Sequence, residues 1–288
     1  MNRIFQMFLW MLVVPVGAQT TIDRSLSHAY GANCGWVNLV GDTAHGVVVT
    51  EWFLAGKAWS ANCGWIDLGD GTPTDGTRYS NASAADCGVN LDPSGNLTGF
   101  AYAANVGWIQ LGWAGSGDPN RPWIDLASGM FHGFAYGANV GWIKLGPSTL
   151  ATGPLALPDS DGDHIGDPWE WEHFGALEIA GIGTDWDHDG SSDAAEAIAL
   201  TDPKDATDFL KIVSHVFGSG HATLTLVFTT QGSRRYRIEI DDDLAGTWSD
   251  SGLGVFEPDS GSTTTKQIVV PAGSRRFFRV AVLAPLFP

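Results

Sequence analysis

Two twelve-residue stretches carry carboxylates at the spacing of a calcium-binding loop. The second stretch, Asp185 to Glu196, fits the pattern D-x-D-x-D-G-x5-E at every required position. The first, Asp159 to Glu170, repeats the spacing but has His164 where the pattern requires Gly. In this pattern positions 1, 3, 5 and 12 offer carboxylates, position 7 offers its carbonyl, and position 9 holds a water. The predicted ligands are Asp159, Asp161, Asp163, Ile165, Asp167 and Glu170 in the first loop, and Asp185, Asp187, Asp189, Ser191, Asp193 and Glu196 in the second.

The charge of this region favours a bound cation over a solvated acidic linker. Residues 151–208 hold fifteen acidic residues and one lysine, Lys204, so they carry 14 of the chain's 17 net negative charges. Carboxylates about 4 Å apart repel by about 4 kcal/mol at an effective dielectric near 20. Such a loop should stay open unless a cation is bound. Oxygen-only ligands at this charge favour Ca²⁺ over Mg²⁺ or Zn²⁺.

These loops resemble the dockerin, thrombospondin type-3 and EF-hand-like calcium segments of secreted bacterial multi-module proteins. The resemblance covers about 50 residues and rests on Asp159-Ser160-Asp161-Gly162-Asp163, Pro168-Trp169-Glu170 and Thr201-Asp202-Pro203. It implies calcium binding rather than a particular activity. A dockerin would bind a cohesin, but the sequence gives no reason to prefer that role over a structural spacer.

Short helices should follow both loops and position their last ligands. We expect one helix over Pro168 to Phe174, and another over Asp193 to Leu200 with a capping box from Asp193 to Glu196. The apolar side chains available to this segment, residues 159–208, make too thin a core for independent stability, so bound metal should contribute much of it. That core is predicted to contain Trp169, Phe174, Ile198 and Leu200.

A 13-residue unit recurs four times in residues 20–147. Each copy contains an aromatic residue, then Asn, one apolar residue, Gly-Trp, Val or Ile, a polar residue and Leu. Asn-x-Gly is turn chemistry, and the strand after it alternates with period two, so each copy predicts a β-hairpin. Further strands should precede the third and fourth copies, turning at Ser94-Gly95 and Ser128-Gly129. Because one hairpin cannot bury its apolar face alone, we expect a short solenoid or a propeller-like closed array.

This repeat resembles the Gly-Trp-Ile β-repeats of secreted bacterial surface proteins over about 120 residues. Its four tryptophans can be interpreted in two ways: as a platform on which sugars stack, or as packing within each hairpin, which the repeat position favours. The partners would be Trp36 with Tyr30, Trp65 with Trp59, Trp108 with Tyr102, and Trp142 with Tyr136.

Three cysteines lie in the first third of the chain. Cys34 and Cys63 occupy equivalent positions of adjacent repeats, so stacking would bring them close enough for a disulfide. Cys87 could compete with either of them. The sequence leaves the choice of pair open.

The remaining segments complete the predicted organisation. Residues 1–18 have the features of a secretory signal peptide, and 148–158 those of a Pro- and Gly-rich linker. Residues 209–288 alternate as strands of an antiparallel β-sandwich. Arginines on one face of it could form a ligand patch, although a solvated face paired with Glu239 or nearby aspartates is the commoner arrangement; they are Arg235, Arg237 and Arg279. The fold class is therefore mainly β, with a small calcium-loop and helix segment between two β domains.

Composition limits the function. Strong acidity argues against nucleic acid, and no later apolar run is long enough to span a membrane. No local catalytic signature is present, so we expect a non-enzyme. We expect a secreted or cell-surface bacterial protein of structural or adhesive role in which calcium stiffens the joint between two β domains. The alternatives are a polysaccharide-binding module that uses the repeat tryptophans, and a self-assembling filament or surface-layer subunit.

Overall fold

The computed structural model describes residues 20–41, 45–115, 117–244, 246–270 and 276–286. The described chain is mainly β, as the sequence predicts, with 39% strand and 7% helix. The predicted signal segment, residues 1–18, lies outside the described residues.

Each copy of the repeat folds as one antiparallel hairpin, which confirms the prediction from the Asn-x-Gly turns. The Gly of every turn has a positive φ, between 70° and 82°, which explains why Gly is required there. The four hairpins are β1 (Ile22–Gly31) with β2 (Gly35–Asn38), β5 (Lys57–Ser60) with β6 (Gly64–Asp67), β8 (Leu97–Ala103) with β9 (Gly107–Gln110), and β12 (Phe134–Gly137) with β13 (Gly141–Lys144).

The hairpins close into an eight-stranded barrel, rather than the solenoid or propeller predicted from the repeat. Its strand order is β8-β6-β5-β2-β1-β13-β12-β9, and β9 pairs back with β8. Each hairpin therefore pairs with the next, and the fourth pairs with the first. Each separate hairpin would have unpaired strand edges. Closure into a barrel pairs all of them.

The turns at one end of the barrel are joined by side-chain hydrogen bonds between neighbouring hairpins. At three of the four junctions a turn asparagine donates through Nδ2 to a turn carbonyl of the hairpin that precedes it around the barrel. At the junction of the first two hairpins, Ser60 Oγ makes the equivalent bond to the Cys34 carbonyl, 2.7 Å long. The three asparagine bonds run from Asn33 to Val140 (3.1 Å), from Asn105 to Cys63 (3.2 Å) and from Asn139 to Val106 (2.8 Å).

The barrel interior is apolar, as the alternation of the second strands predicts. Small residues of the first strands fill the remaining space, and the turn-end Cys34, Cys63 and Val140 are buried with them. The buried pairs from the second strands are Val37 and Leu39, Ile66 and Leu68, Ile109 and Leu111, and Ile143 and Leu145.

The cysteines are all free thiols, so the predicted disulfide is not formed in this structure. Cys34 and Cys63 are nonetheless neighbours. Burial, together with the adjacent Cys63 thiol, raises the pKa of Cys34 to about 11.

Further strands extend the barrel wall. The further strands predicted before the third and fourth copies are present, and they turn into β8 and β11 (Phe131–His132) respectively. Residues 148–158 are not simply a linker, because Leu150 pairs with Ser27 on β1. The added strands are β3 (Val48–Val49), β4 (Phe53–Ala55), β7 (Val89–Leu91), β10 (Trp123–Ile124), β11 (Phe131–His132) and β14 (Leu150–Thr152).

One short helix follows each acidic loop, at the predicted places: α1 (Asp167–His173) and α2 (Asp193–Ala199). The predicted capping box is wrong. Ser192 is the N-cap of α2, and its Oγ accepts from the Ala195 N–H at 3.3 Å, so Asp193 is already inside the helix. Glu196 therefore takes no part in capping this helix.

The C-terminal part forms two three-stranded antiparallel sheets that share one apolar core. A 3₁₀ turn, Ser219–His221, follows the first of its strands. Phe256 adds an isolated bridge to Tyr236 outside these strands. One sheet contains β15 (Ile212–Phe217), β16 (Thr223–Thr229) and β19 (Thr263–Val269), and the other contains β18 (Ser249–Asp250), β17 (Arg235–Asp241) and β20 (Phe277–Leu283).

Candidate metal centre

Both acidic loops gather their first three carboxylates around one point. In each loop one oxygen from every residue at positions 1, 3 and 5 lies within 4.8 Å of the others. Charges at that separation repel by roughly 3 kcal/mol per pair at an effective dielectric near 20. The two clusters are Asp159, Asp161 and Asp163, and Asp185, Asp187 and Asp189.

The two loops share one internal hydrogen-bond pattern. In each loop the side chain at position 1 accepts from the N–H at position 6, position 5 accepts from position 7, and position 9 accepts from position 2. These bonds hold the backbone in a turn without using every carboxylate oxygen. The donor and acceptor pairs are His164 to Asp159 (3.0 Å), Ile165 to Asp163 (2.8 Å) and Ser160 to Asp167 (2.7 Å), and Gly190 to Asp185 (3.1 Å), Ser191 to Asp189 (2.6 Å) and Trp186 to Asp193 (3.1 Å).

Glycine and histidine exchange places between the loops. Positions 4 and 6 are Gly162 and His164 in the first loop, and His188 and Gly190 in the second. All four have left-handed backbones, with φ of 79°, 72°, 64° and 99° respectively. His164 therefore reproduces the turn that the pattern assigns to Gly, at the cost that a Cβ incurs in this conformation. The histidine side chains are exposed, as expected for non-ligands.

The glutamates at position 12 are fully buried behind these clusters. Glu170 and Glu196 are both 0% exposed. Neither oxygen of Glu170 has a hydrogen-bond partner among the described residues, and one oxygen of Glu196 has none. Burial and the nearby aspartates raise the pKa of each glutamate to about 8. A buried carboxylate without a donor is a costly arrangement that a cation would relieve.

Five aspartates likewise have a buried oxygen without a hydrogen-bond partner among the described residues. Those oxygens are Asp163 Oδ2, Asp185 Oδ1, Asp187 Oδ2, Asp189 Oδ2 and Asp193 Oδ2. The two residues at position 9 differ. Both oxygens of Asp167 are held by Ser160, whereas Asp193 keeps Oδ2 free. The first loop therefore offers fewer free oxygens than the second.

The loop segment packs against the barrel side of the molecule, which sequence reasoning missed. Ile165 and Trp169 form one buried cluster with Trp52, Phe53 and Tyr79. The predicted Phe174 and Leu200 pack on this same cluster. Ile198 instead packs on the core of the C-terminal sheets. The thin core predicted for the segment is thus completed by neighbours on both sides.

Arg234 joins all three parts of the molecule. This side chain is 2% exposed and makes a two-pronged ion pair with Glu51, with both N–O distances 3.0 Å. It also donates to the carbonyls of Ile198 (2.5 Å) and Ala197 (3.3 Å), at the C-terminal end of α2. A guanidinium suits this place because it carries five donors in a fixed plane and favours the negative end of a helix. No sequence pattern marks the residue.

The arginines of the C-terminal sheets have partners rather than forming an open ligand patch. Arg237 Nε and Arg279 Nε donate to opposite oxygens of the buried Glu239, at 2.8 and 2.6 Å. Arg235 pairs with Glu257 at 3.1 Å. This is the paired arrangement that the sequence favoured.

Eight aromatic side chains lie on the outer surface of the barrel. The predicted packing within hairpins is confirmed, because each pair stands across its two strands with ring centroids 4.7 to 5.1 Å apart. The rings remain 38% to 57% exposed. We call this set the aromatic belt: Tyr30, Trp36, Trp59, Trp65, Tyr102, Trp108, Tyr136 and Trp142.

Comparison with known proteins adds no relative to this description. No family model, curated protein or solved structure matches the chain. Within the described residues, no helix combines the length and the apolar content needed to cross a membrane.

Proposed function

We propose that the chain is a secreted, non-catalytic structural or adhesion protein in which Ca²⁺ stiffens the joint between the barrel and the C-terminal sheets. The observation that carries this proposal is the set of buried, unpartnered carboxylate oxygens converging in both loops. The resemblance of the sequence to extracellular calcium segments, and its signal-like residues 1–18, support the location.

Calcium fits these loops because every predicted ligand is an oxygen. Nitrogen and sulfur ligands, which would favour zinc or copper, are missing from the predicted ligand sets. Bound calcium would supply the positive charge that the clustered carboxylates lack. Extracellular sites of this kind bind at roughly 10⁻⁴–10⁻³ M, so about 10 mM calcium would add roughly 1.4–2.7 kcal/mol of stability per site.

The position of α2 supports a joint rather than a detached binding module. Glu196, the last predicted ligand of the second loop, lies in α2, and the same helix presents its terminal carbonyls to Arg234. Arg234 in turn binds Glu51 beside β4. Calcium that orders α2 would therefore also hold in place the carbonyls that bind Arg234. It would thereby stabilise the contact between the barrel and the C-terminal sheets.

A thermal melt with and without chelator tests the proposal, applied to the parent and to the Asp185→Asn plus Glu196→Gln double variant. Both substitutions keep shape but remove charge. We expect the parent to melt several degrees higher in 10 mM calcium than in chelator. The double variant should gain less from calcium, yet melt no lower than the parent in chelator, because it no longer buries unpaired carboxylates.

The matched control is Glu172→Gln plus Glu178→Gln. These exposed acids lie in the same segment but outside the loops, and their loss changes the net charge by the same amount. The control should keep the full calcium response. Equal melts with and without calcium in the parent, or an equal loss of response in the control, would contradict the proposal.

The exposure of the aromatic belt favours a second candidate function, binding of a neutral polysaccharide. Between hairpins, each first-strand aromatic lies opposite a polar residue of the neighbouring strand. Exposed rings alternating with hydrogen-bonding side chains suit sugars, which need both stacking and polar contacts. The opposed pairs are Trp59 with Asn38, Tyr102 with Asp67, Tyr136 with Gln110, and Tyr30 with Lys144.

Affinity electrophoresis in gels containing hydroxyethyl cellulose, or alginate as an anionic counterpart, tests this candidate. We expect retardation by the neutral polymer that weakens stepwise in Trp36→Ala and in Trp36→Ala plus Trp142→Ala. Trp171→Ala, an exposed tryptophan outside the barrel, should leave it unchanged. Retardation that survives both belt variants would rule the candidate out.

A further inference from the structure

Strand β15 is the edge of its sheet and is exposed along its whole length. All six of its residues are exposed, and among the described strands it pairs with β16 alone. Val213 and Val216 are 56% and 64% exposed. The strand Ile212–Phe217 contains no charged residue and no proline. Natural edge strands normally carry such residues, because an open apolar edge invites another strand to pair with it.

The opposite edge of the same sheet is protected in the usual way. Strand β19 carries Lys266 near its middle, and that lysine pairs with Asp259 at 3.0 Å. Its exposed Val269 lies at the end of the strand. The absence of a comparable charge on β15 is therefore a feature of that edge alone within this sheet.

The backbone groups that face outward from β15 can be assigned. Gly218 N–H bonds to the Thr223 carbonyl, so the ladder places Val216 and Ser214 in the hydrogen-bonded register with β16. Antiparallel bonds alternate along a strand, so the N–H and C=O of His215 and Phe217 point away from the sheet. They offer four hydrogen-bonding groups to an incoming strand.

We propose that β15 is a self-association surface, on which β15 of a second copy pairs antiparallel about a two-fold axis. His215 of one copy would exchange hydrogen bonds with Phe217 of the other, and the reverse, which satisfies all four outward groups. In this register Val216 lies directly opposite its own copy. The pairing is isologous and closes at a dimer.

Charge explains why the second copy would meet at this edge. Residues 151–208 carry 14 of the chain's 17 net negative charges, so that segment repels another copy most strongly. Residues 209–288 carry eight basic and seven acidic residues, and β15 itself carries none. An uncharged, self-complementary strand within the near-neutral part of an acidic molecule is where two copies approach at the lowest electrostatic cost.

Sedimentation equilibrium of the full chain in 10 mM calcium tests the dimer. We expect a concentration-dependent dimer for the parent. Val216→Lys, which opposes two like charges across the axis, should weaken dimerisation about tenfold or more, equivalent to ~1.4 kcal/mol. Val269→Lys is the matched control, because it makes the same change on the other edge of the sheet. It should leave the dimer intact.

A second variant identifies the register directly. Opposed residues in a non-hydrogen-bonded pair have Cα atoms about 4.5 Å apart, within disulfide range. Val216→Cys in a Cys87→Ser background should therefore give a covalent dimer on mild oxidation, and Val269→Cys in that background should not. A monomeric parent at about 100 µM, open-ended polymers, or equal weakening by both lysine variants would overturn the proposal.

Discussion

The barrel and the acidic loop segment bury their residues by opposite means. The barrel closes its hydrogen-bond ladder on itself and fills its interior with apolar side chains. The segment of residues 159–208 has two seven-residue helices and buries carboxylates without donors. The barrel strands pair their backbone groups with one another, whereas the loop segment buries negative charge without a matching positive charge. We therefore expect stability to be intrinsic to the barrel and to depend on a bound cation in the joint.

Hydrogen exchange after calcium removal should give the largest difference between the loop segment and the barrel. Amides of residues 159–201 should lose protection about a hundredfold or more in chelator, because two sites at roughly 1.4–2.7 kcal/mol each are lost. Amides of the barrel strands should keep their protection. Equal loss in both parts would show that the joint and the barrel unfold as one unit.

Removing Arg234 should uncouple the joint even with calcium bound. Arg234→Leu leaves Glu51 and two helix-end carbonyls without their donor, and we expect it to lower the free energy of unfolding by about 3 kcal/mol. Arg235→Leu is the control. Its partner Glu257 is 67% exposed, so the loss should stay within about 1 kcal/mol in urea denaturation.

The stability of the metal-free protein should depend on pH in a way that reports the burial of these carboxylates. The pKa values of Glu170 and Glu196 are raised from 4.5 to about 8, so the folded form binds more protons than the unfolded chain between those values. The contribution of these two glutamates to stability should therefore be fully present below about pH 4.5 and be lost as pH rises through about 8. Urea denaturation in chelator measures this trend. Glu170→Gln plus Glu196→Gln should flatten it.

The exchanged glycines and histidines allow a finer comparison of the two loops. A Cβ at position 190 would meet open space, so Gly190→Ala should cost only its backbone strain, about 1–2 kcal/mol in calcium. His164→Gly should relieve the same strain and raise stability by up to about 1 kcal/mol. Gly183→Ala, in open space without a positive φ, is the control. Opposite signs for the first two changes would confirm the shared turn.

The smallest expected effect lies at the barrel end. Asn105→Ala removes the hydrogen bond to the Cys63 carbonyl and should cost about 1 kcal/mol. Asn62→Ala should cost less, because Ser60 makes the equivalent bond at that junction. Thermal melts of the two variants in chelator would separate the barrel contribution from that of the joint. Identical losses would contradict the assignment.

Local patterns predicted much of the barrel wall and the loops. The hairpins, the inward-facing pairs such as Ile66 and Leu68, and the two loop helices follow from periodicity and turn chemistry over about ten residues. The closed form did not follow, because four near-identical hairpins can pair in several orders and no local pattern distinguishes which edges meet. The N-cap was misassigned since Ser192 and Asp193 are both good caps.

Long-range partners could not be predicted. Arg234 binds a glutamate 183 positions away, and Trp169 shares a buried cluster with Tyr79 from a separate part of the chain. Each is one of several similar residues nearby, so no local signal distinguishes it. The missing disulfide has a comparable origin, because the repeat predicted the neighbourhood of Cys34 and Cys63 but not their chemical state.

Closure of the barrel has a consequence for how the chain is made. The bond from Asn33 to the Val140 carbonyl spans 107 positions, and β1 pairs with β13. At about 5–20 residues per second, the first hairpin leaves the ribosome several seconds before its last neighbour exists. Until then its outer strand edge stays open in the nascent chain. The slow step of maturation should therefore be the arrival of the fourth hairpin, and a chain truncated before it should aggregate rather than fold.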